Sequence, residues 1–211
     1  MSIVPLVIPD SSDLPEVAQR IIAEARTIIE QRGEAALRVT ELAERCEVAV
    51  GLLYHYFKDR NDIIANVRAQ QFVEIAARDI DNFMNAVTAN TTSTDLGNDT
   101  ISIFGGVEEP QRVVSRWNRL AVLSAARHNP DLWNRIADEQ AKLNEALVST
   151  IELGQTMGLV NPNLDAKAIA LMVEAIPLGL VLADLSPERR PSPEAWRAIA
   201  ARVIFSFAPD S

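Results

Sequence analysis

Few side chains in this chain of 211 residues have chemistry to offer. The run Tyr54-His55-Tyr56-Phe57 closes the stretch VAVGLLYHYFKD, residues 48 to 59. Four consecutive aromatic rings cannot all face a core from one helix. Tyrosine hydroxyls donate to phosphate oxygens and the rings cover sugar edges, so contact with a phosphate backbone is the chemistry this run is equipped for. The two histidines, His55 and His128, stand far apart, and Cys46 is the single thiol. That leaves no disulfide and no spacing fit for a metal, and packs Cys46 as a small core residue. No nucleophile, base and orienter come together, and no glycine-rich phosphate loop is present. We therefore expect no enzyme activity, no metal and no cofactor. One further group stands out. Glu174 interrupts the apolar stretch AIALMVEAIPLGLVL at 168 to 182, where a carboxylate must find a partner, reach solvent or bind a proton.

The composition is that of an ordered globular chain, 48% hydrophobic and 23% charged. Net charge is -9, which argues against a nucleic-acid partner until its distribution is considered. Residues 14 to 70 hold eight Lys and Arg against nine Asp and Glu, whereas residues 71 to 211 hold twelve against eighteen. The acid therefore lies away from the aromatic run. The segment MSIVPLVIPDSSD has no basic region, and its prolines interrupt a helix, so it does not read as a signal peptide. The longest apolar run falls short of the ~20 residues that span a bilayer. A soluble, cytoplasmic protein with no membrane partner is the expectation.

The elements that must position these residues read as helices. PEVAQRIIAEARTIIEQRG puts Val17, Ile21, Ala25 and Ile28 on one face and stops at Gly33. VTELAERC and VGLLYHYF form two short helices, and KDRND opens a long one carrying Phe72, Ala76, Ile80, Phe83 and Val87. TANTTSTDLGND is polar and predicts a loop. Val113, Trp117, Leu120 and Ser124 mark the next helix, with His128 capping its end, and Leu132, Ile136, Leu143, Leu147 and Ile151 another. Residues 166 to 185 are so uniformly apolar that burial on most sides is expected, with a kink at Pro177. Trp196, Ile199, Val203 and Phe207 stripe the last helix. The fold class is all-α, with an arm at 1–13, a first domain at 14–62 and a larger helical domain at 63–211.

Two short helices joined by a tight turn after a longer one form a helix-turn-helix, in which the second short helix enters the major groove of DNA. The segment IIAEARTIIEQRG…VTELAERCEVAVGLLYHYFKDRNDII resembles the DNA-binding domain of the tetracycline-repressor (TetR) family of transcriptional regulators. Ala25, Ile28, Gly33, Val39, Leu42, Ala43, Val48, Gly51, Leu53, Tyr54, Tyr56, Phe57, Arg60 and Ile63 fall in register with it. The resemblance implies that Thr40 starts the second helix against a phosphate. It implies that Val50, Gly51, Leu52, Tyr54, His55 and Tyr56 face DNA, with Arg60 near the backbone. It further implies a double-stranded operator, a homodimer formed by the helices at 166–185 and 193–207, and a small hydrophobic or aromatic effector. Phe104, Trp117, Leu120, Trp133, Met172 and Glu174 are the candidate pocket residues.

The chain departs from the family pattern at the turn. Glu47 stands where glycine is usual, and Ala49 where a serine or threonine would cap the next helix, a loss of ~1 kcal/mol. The arm is apolar and acidic rather than basic, which predicts that it packs on protein. Val50 and Leu52 offer base edges only apolar contact, suited to thymine methyls. A ligand-responsive regulator, most often a repressor in such a family, is the leading expectation. The alternative is a module of the same fold that binds small molecules or proteins and has lost DNA.

Overall fold

Glu16–Arg32 forms α1, because Ala18, Ile21, Ile22, Ala25 and Ile28 recur on one face and are all buried. The helix stops at Gly33, whose φ of 78° and ψ of 163° belong to a region open essentially to glycine alone. This computed structural model describes residues 14–104 and 109–209, without the side chains of Ile75 and Phe104. The arm at 1–13 and the side chain of Phe104 thus lie outside the described residues. After a single 3-10 turn at Glu34–Ala36 come α2 (Val39–Arg45), α3 (Val50–Tyr56) and α4 (Arg60–Ala89). Then follow α5 (Ser93–Phe104), α6 (Pro110–Ala126), α7 (Pro130–Thr156), α8 (Ala166–Gly179), α9 (Val181–Asp184) and α10 (Pro193–Phe205). The described residues contain no strand.

The chain divides into two units. The first comprises the described residues up to Glu74 together with Ser124–Glu139, and the second holds Ile75–Leu123 and Gln140 onward. The division differs from the expected boundary at 62/63: α4 contributes its first half to the first unit, and the α6–α7 corner joins it too. The core of the first unit runs through Ile21, Ile28, Leu37, Leu42, Cys46, Leu53, Phe57, Ile63 and Val67. Cys46 is buried in it, and that burial raises its thiol pKa, in keeping with a packing residue.

The second unit buries Phe83 and Val87 of α4 and Leu96 of α5. With them lie Leu143, Leu147 and Ile151 of α7, Ile169 and Val173 of α8, and Ile204 of α10. The expected loop at TANTTSTDLGND is short. Only residues 90–92 are non-helical, and Ser93–Phe104 is a helix. Thr92 and Asp95 nucleate it, since the Thr92 hydroxyl accepts from the Asp95 amide at 3.1 Å and donates to its carboxylate at 2.6 Å. Leu96, Thr100 and Ile101 then supply a narrow buried face. Gly97 lets α10 approach: a Cβ there would lie 2.3 Å from the Phe205 ring.

Three expected faces are also corrected. On α6 the buried residues are Arg116, Val122 and Ala126, while Trp117, Leu120 and Ser124 are exposed. On α10 Ala200 and Ile204 are buried and Ile199 is 54% exposed. The apolar run at 166–185 is covered on one side only: Ile169, Ala170, Val173, Leu180 and Val181 are buried, but Leu171, Met172, Leu182 and Leu185 are exposed. Ala166–Asp184, with Pro177 inside, is by length and composition alone long and apolar enough to cross a membrane. Its acids are nonetheless bound to protein groups. Asp184 is 1% exposed between Arg116 at 2.7 Å and Arg190 at 2.8 Å. Glu174 accepts from Gln140 at 2.8 Å.

Candidate nucleic-acid interface

The turn between α2 and α3 is closed by backbone bonds, from Cys46 N–H to Leu42 O at 3.0 Å and from Val48 N–H to Ala43 O at 3.0 Å. Glu47 carries the turn at φ 54°, among the described residues the one non-glycine with positive φ. Its place in the left-handed region is the geometric reason a glycine suits this position. Leu53 and Phe57 fix α3 to the core, with Val48 and Tyr56 packed alongside. A seven-residue helix anchored by i and i+4 must present its other side outward.

That outward side holds most of the expected contacts. Thr40, Val50, Gly51, Tyr54 and His55 are exposed, Tyr54 by 53%. Leu52 and Tyr56 are half-buried, and the Tyr56 ring meets His55 edge-on at 5.0 Å. Neither α2 nor α3 has a side-chain cap, so their first amides remain open to an acceptor from outside. Arg60 departs from expectation. Its guanidinium turns inward and donates to the carbonyls of Leu37, at 2.8 Å, and of Glu34, so it braces the 3-10 turn against α4. Two exposed cations flank the face instead: Arg38, at the head of α2, and Lys58, just past α3. Sequence reading passed over both, although a cation beside each end of the helix pair was the available signal. Lys58 lies 3.8 Å from Asp131, an exposed pair that holds it only weakly.

The candidate effector residues do not form one set. Trp133 falls in the first unit and is 55% exposed. Trp117, Leu120 and Met172 of the second unit are exposed as well. Glu174 is half-buried beside Gln140. A small apolar crevice of about 30 Å³, lined by Phe83, Leu96, Ile151, Val173, Ile204 and Phe207 among others, touches none of the five candidates whose side chains are described. The polar groups sequence reading missed lie on α4 and α6. Burial lowers the pKa of Arg119 against the pull of Glu174 and Asp79, and burial raises that of Asp79 although Arg112 stands 3.7 Å away.

Two family profiles match the chain. Residues 21–67 match bacterial regulatory proteins of the tetR family, and residues 109–208 the C-terminal region of BetI-type transcriptional repressors. No curated protein matches by sequence. Solved structures share the fold. A transcriptional regulator from Saccharomonospora viridis in complex with choline aligns with a TM-score of 0.59 at 19% identity, over 90% of this chain and 95% of its own. A TetR-family regulator from Mesorhizobium loti gives 0.64 at 15% identity, over 90% and 94%. FadR from Bacillus subtilis in complex with stearoyl-CoA gives 0.54 at 17% identity, over 89% and 97%. With its helix-turn-helix anchored by Leu53 and Phe57 and both family profiles matched, the chain belongs to the TetR family of transcriptional regulators.

Proposed function

We propose that this regulator is a cytoplasmic, homodimeric repressor that binds a palindromic operator and is released by a small hydrophobic effector. The division of α3 carries the reading: Leu53 and Phe57 are buried, while Val50, Gly51, Tyr54 and His55 stay exposed. Thr40, Arg38 and Lys58 take phosphates on either side of the groove, and Leu52 reaches thymine methyls from the rim. One helix of seven residues contacts too few base pairs alone, so two half-sites about 34–36 Å apart are needed. The uncovered apolar face of α8 to α10, with Leu171, Leu182, Leu185 and Ile199 exposed, supports a second copy as the partner that brings them together.

Ligand response is supported by the two relatives solved with choline and with stearoyl-CoA. In this chain the second unit is the receiving body, with Glu174 and Gln140, joined by Arg119, as polar anchors. Binding to DNA from upstream of its own gene, measured across a salt series, tests the proposal. Replacing Arg38 or Lys58 by alanine should lower affinity for every duplex and reduce the salt slope by about one per cation. A protein that is folded and dimeric yet binds no duplex would instead be a ligand-binding module that has lost DNA.

A further inference from the structure

The α6–α7 corner belongs to the first unit, where it meets α4 through polar side chains as well as apolar ones such as the buried Leu132. Arg135 of α7 donates to Asp62 Oδ1 at 3.1 Å and to the side-chain oxygen of Asn66. The other oxygen of that carboxylate, Asp62 Oδ2, accepts from the backbone N–H of Lys58 at 3.0 Å. Asp59 completes the turn by accepting from the Asp62 N–H at 2.9 Å. Lys58 lies two residues beyond the end of α3, next to the buried anchor Phe57. A single carboxylate thus joins α7 to the chain leaving α3, and its side chain is only 16% exposed.

We infer that Arg135 is a positioning residue for α3, acting through Asp62 on the Lys58 amide and not by contact with DNA. The inference rests on the DNA-binding reading of α3. The guanidinium fork holds two acceptors at once, so it fixes α7 and the head of α4 in one register. Asp62 then transmits that register to the turn that aims Tyr54 and His55. The same helix runs on to Thr156 and carries Gln140, which donates to Glu174. A ligand that alters the Gln140–Glu174 bond therefore acts on the helix that holds the α3 turn.

The test compares the full-length wild type with Arg135→Ala, Arg135→Lys, Asp62→Asn and the double variant Arg135→Ala/Asp62→Asn. Two readouts are needed: hydrogen exchange of the peptide covering 50–62, and affinity for two duplexes. One duplex is recovered by the wild type from a random-sequence pool; the other is unrelated. Arg135→Ala should speed exchange at 57–62 about five-fold or more while α1 is unchanged. It should weaken the selected duplex about five- to ten-fold and leave unrelated DNA alone, with Lys restoring part of the loss. The double variant should be no worse than the worse single one, because both break the same chain of bonds. Equal weakening of both duplexes with a smaller salt slope would make Arg135 a phosphate contact and overturn the inference. Unchanged exchange at 57–62, or a uniform rise across α1 as well, would overturn it too. A wild type that selects no duplex contradicts the DNA-binding reading, and the exchange data still decide whether Arg135 holds the turn.

Discussion

Glu47 meets two penalties at one position. A φ of 54° costs an L-residue roughly 1 kcal/mol, and its carboxylate sits at the turn leading into α3, the helix proposed to meet DNA. Glu47→Gly should therefore leave the melting temperature level or raise it slightly, glycine's greater chain entropy offsetting part of the relief. It should also tighten binding to all duplexes a few-fold, most at low salt; weaker binding at equal stability would show that Glu47 makes a favourable contact. Tyr54 offers a second test at this scale. With 53% of its surface free, Tyr54 can offer its hydroxyl to a backbone phosphate on the proposed reading, so Tyr54→Phe should weaken selected and unrelated duplexes alike. A change in sequence preference from that substitution would mean that α3 lies in the groove in another orientation.

At the scale of elements, the packing of α5 on α10 depends on Gly97, and a Cβ there would run into the Phe205 ring. Gly97→Ala should cost about 1–3 kcal/mol, read as a lower midpoint in urea; an unchanged midpoint would show that the ring swings aside. Asp79 sets a pH signature in the same unit. Burial raises its pKa above the usual carboxylate value, so the folded state holds that proton more tightly. Stability from this group is present below the ordinary aspartate pKa and falls as pH rises through the raised one. Asp79→Asn should hence raise the melting temperature at pH 7 and do little at pH 3.5, and the reverse pattern would show the Arg112 pair to dominate. These elements also mark how far the sequence was readable. α1, α4 and α7 follow from periodicity because each buries one clear stripe, α1 with a strong stop at Gly33, whereas the short α2 and α3 were legible from the turn between them and the family pattern. α5 was hidden by its polar length; its signal was the Thr92–Asp95 cap, with Thr92 four residues ahead of the buried Leu96. The faces of α6 and α10 were misjudged because their apolar stripes are left uncovered by the chain itself. Arg60 heads α4 as expected, but its guanidinium ends on backbone carbonyls, and no spacing in the sequence reveals that.

For the whole molecule, the account requires two copies. α8 to α10 leave Leu171, Leu182, Leu185 and Ile199 exposed, large apolar side chains that a second copy would cover. Leu182→Glu, at a residue 73% exposed in the single chain, should therefore spare folding but shift the sedimenting species from dimer to monomer. A dimer that survives it would place the interface elsewhere. Dimerisation and DNA binding meet in one experiment, selection of duplexes from a random-sequence pool by the purified full-length protein at stated salt, followed by the stoichiometry of the selected complex. The account predicts an inverted repeat with half-sites about 10–10.5 base pairs apart or a multiple of this. It also predicts two chains per duplex and an affinity that falls steeply with salt. A folded protein that enriches no sequence, or one that binds a single unrepeated site as a monomer, would contradict it.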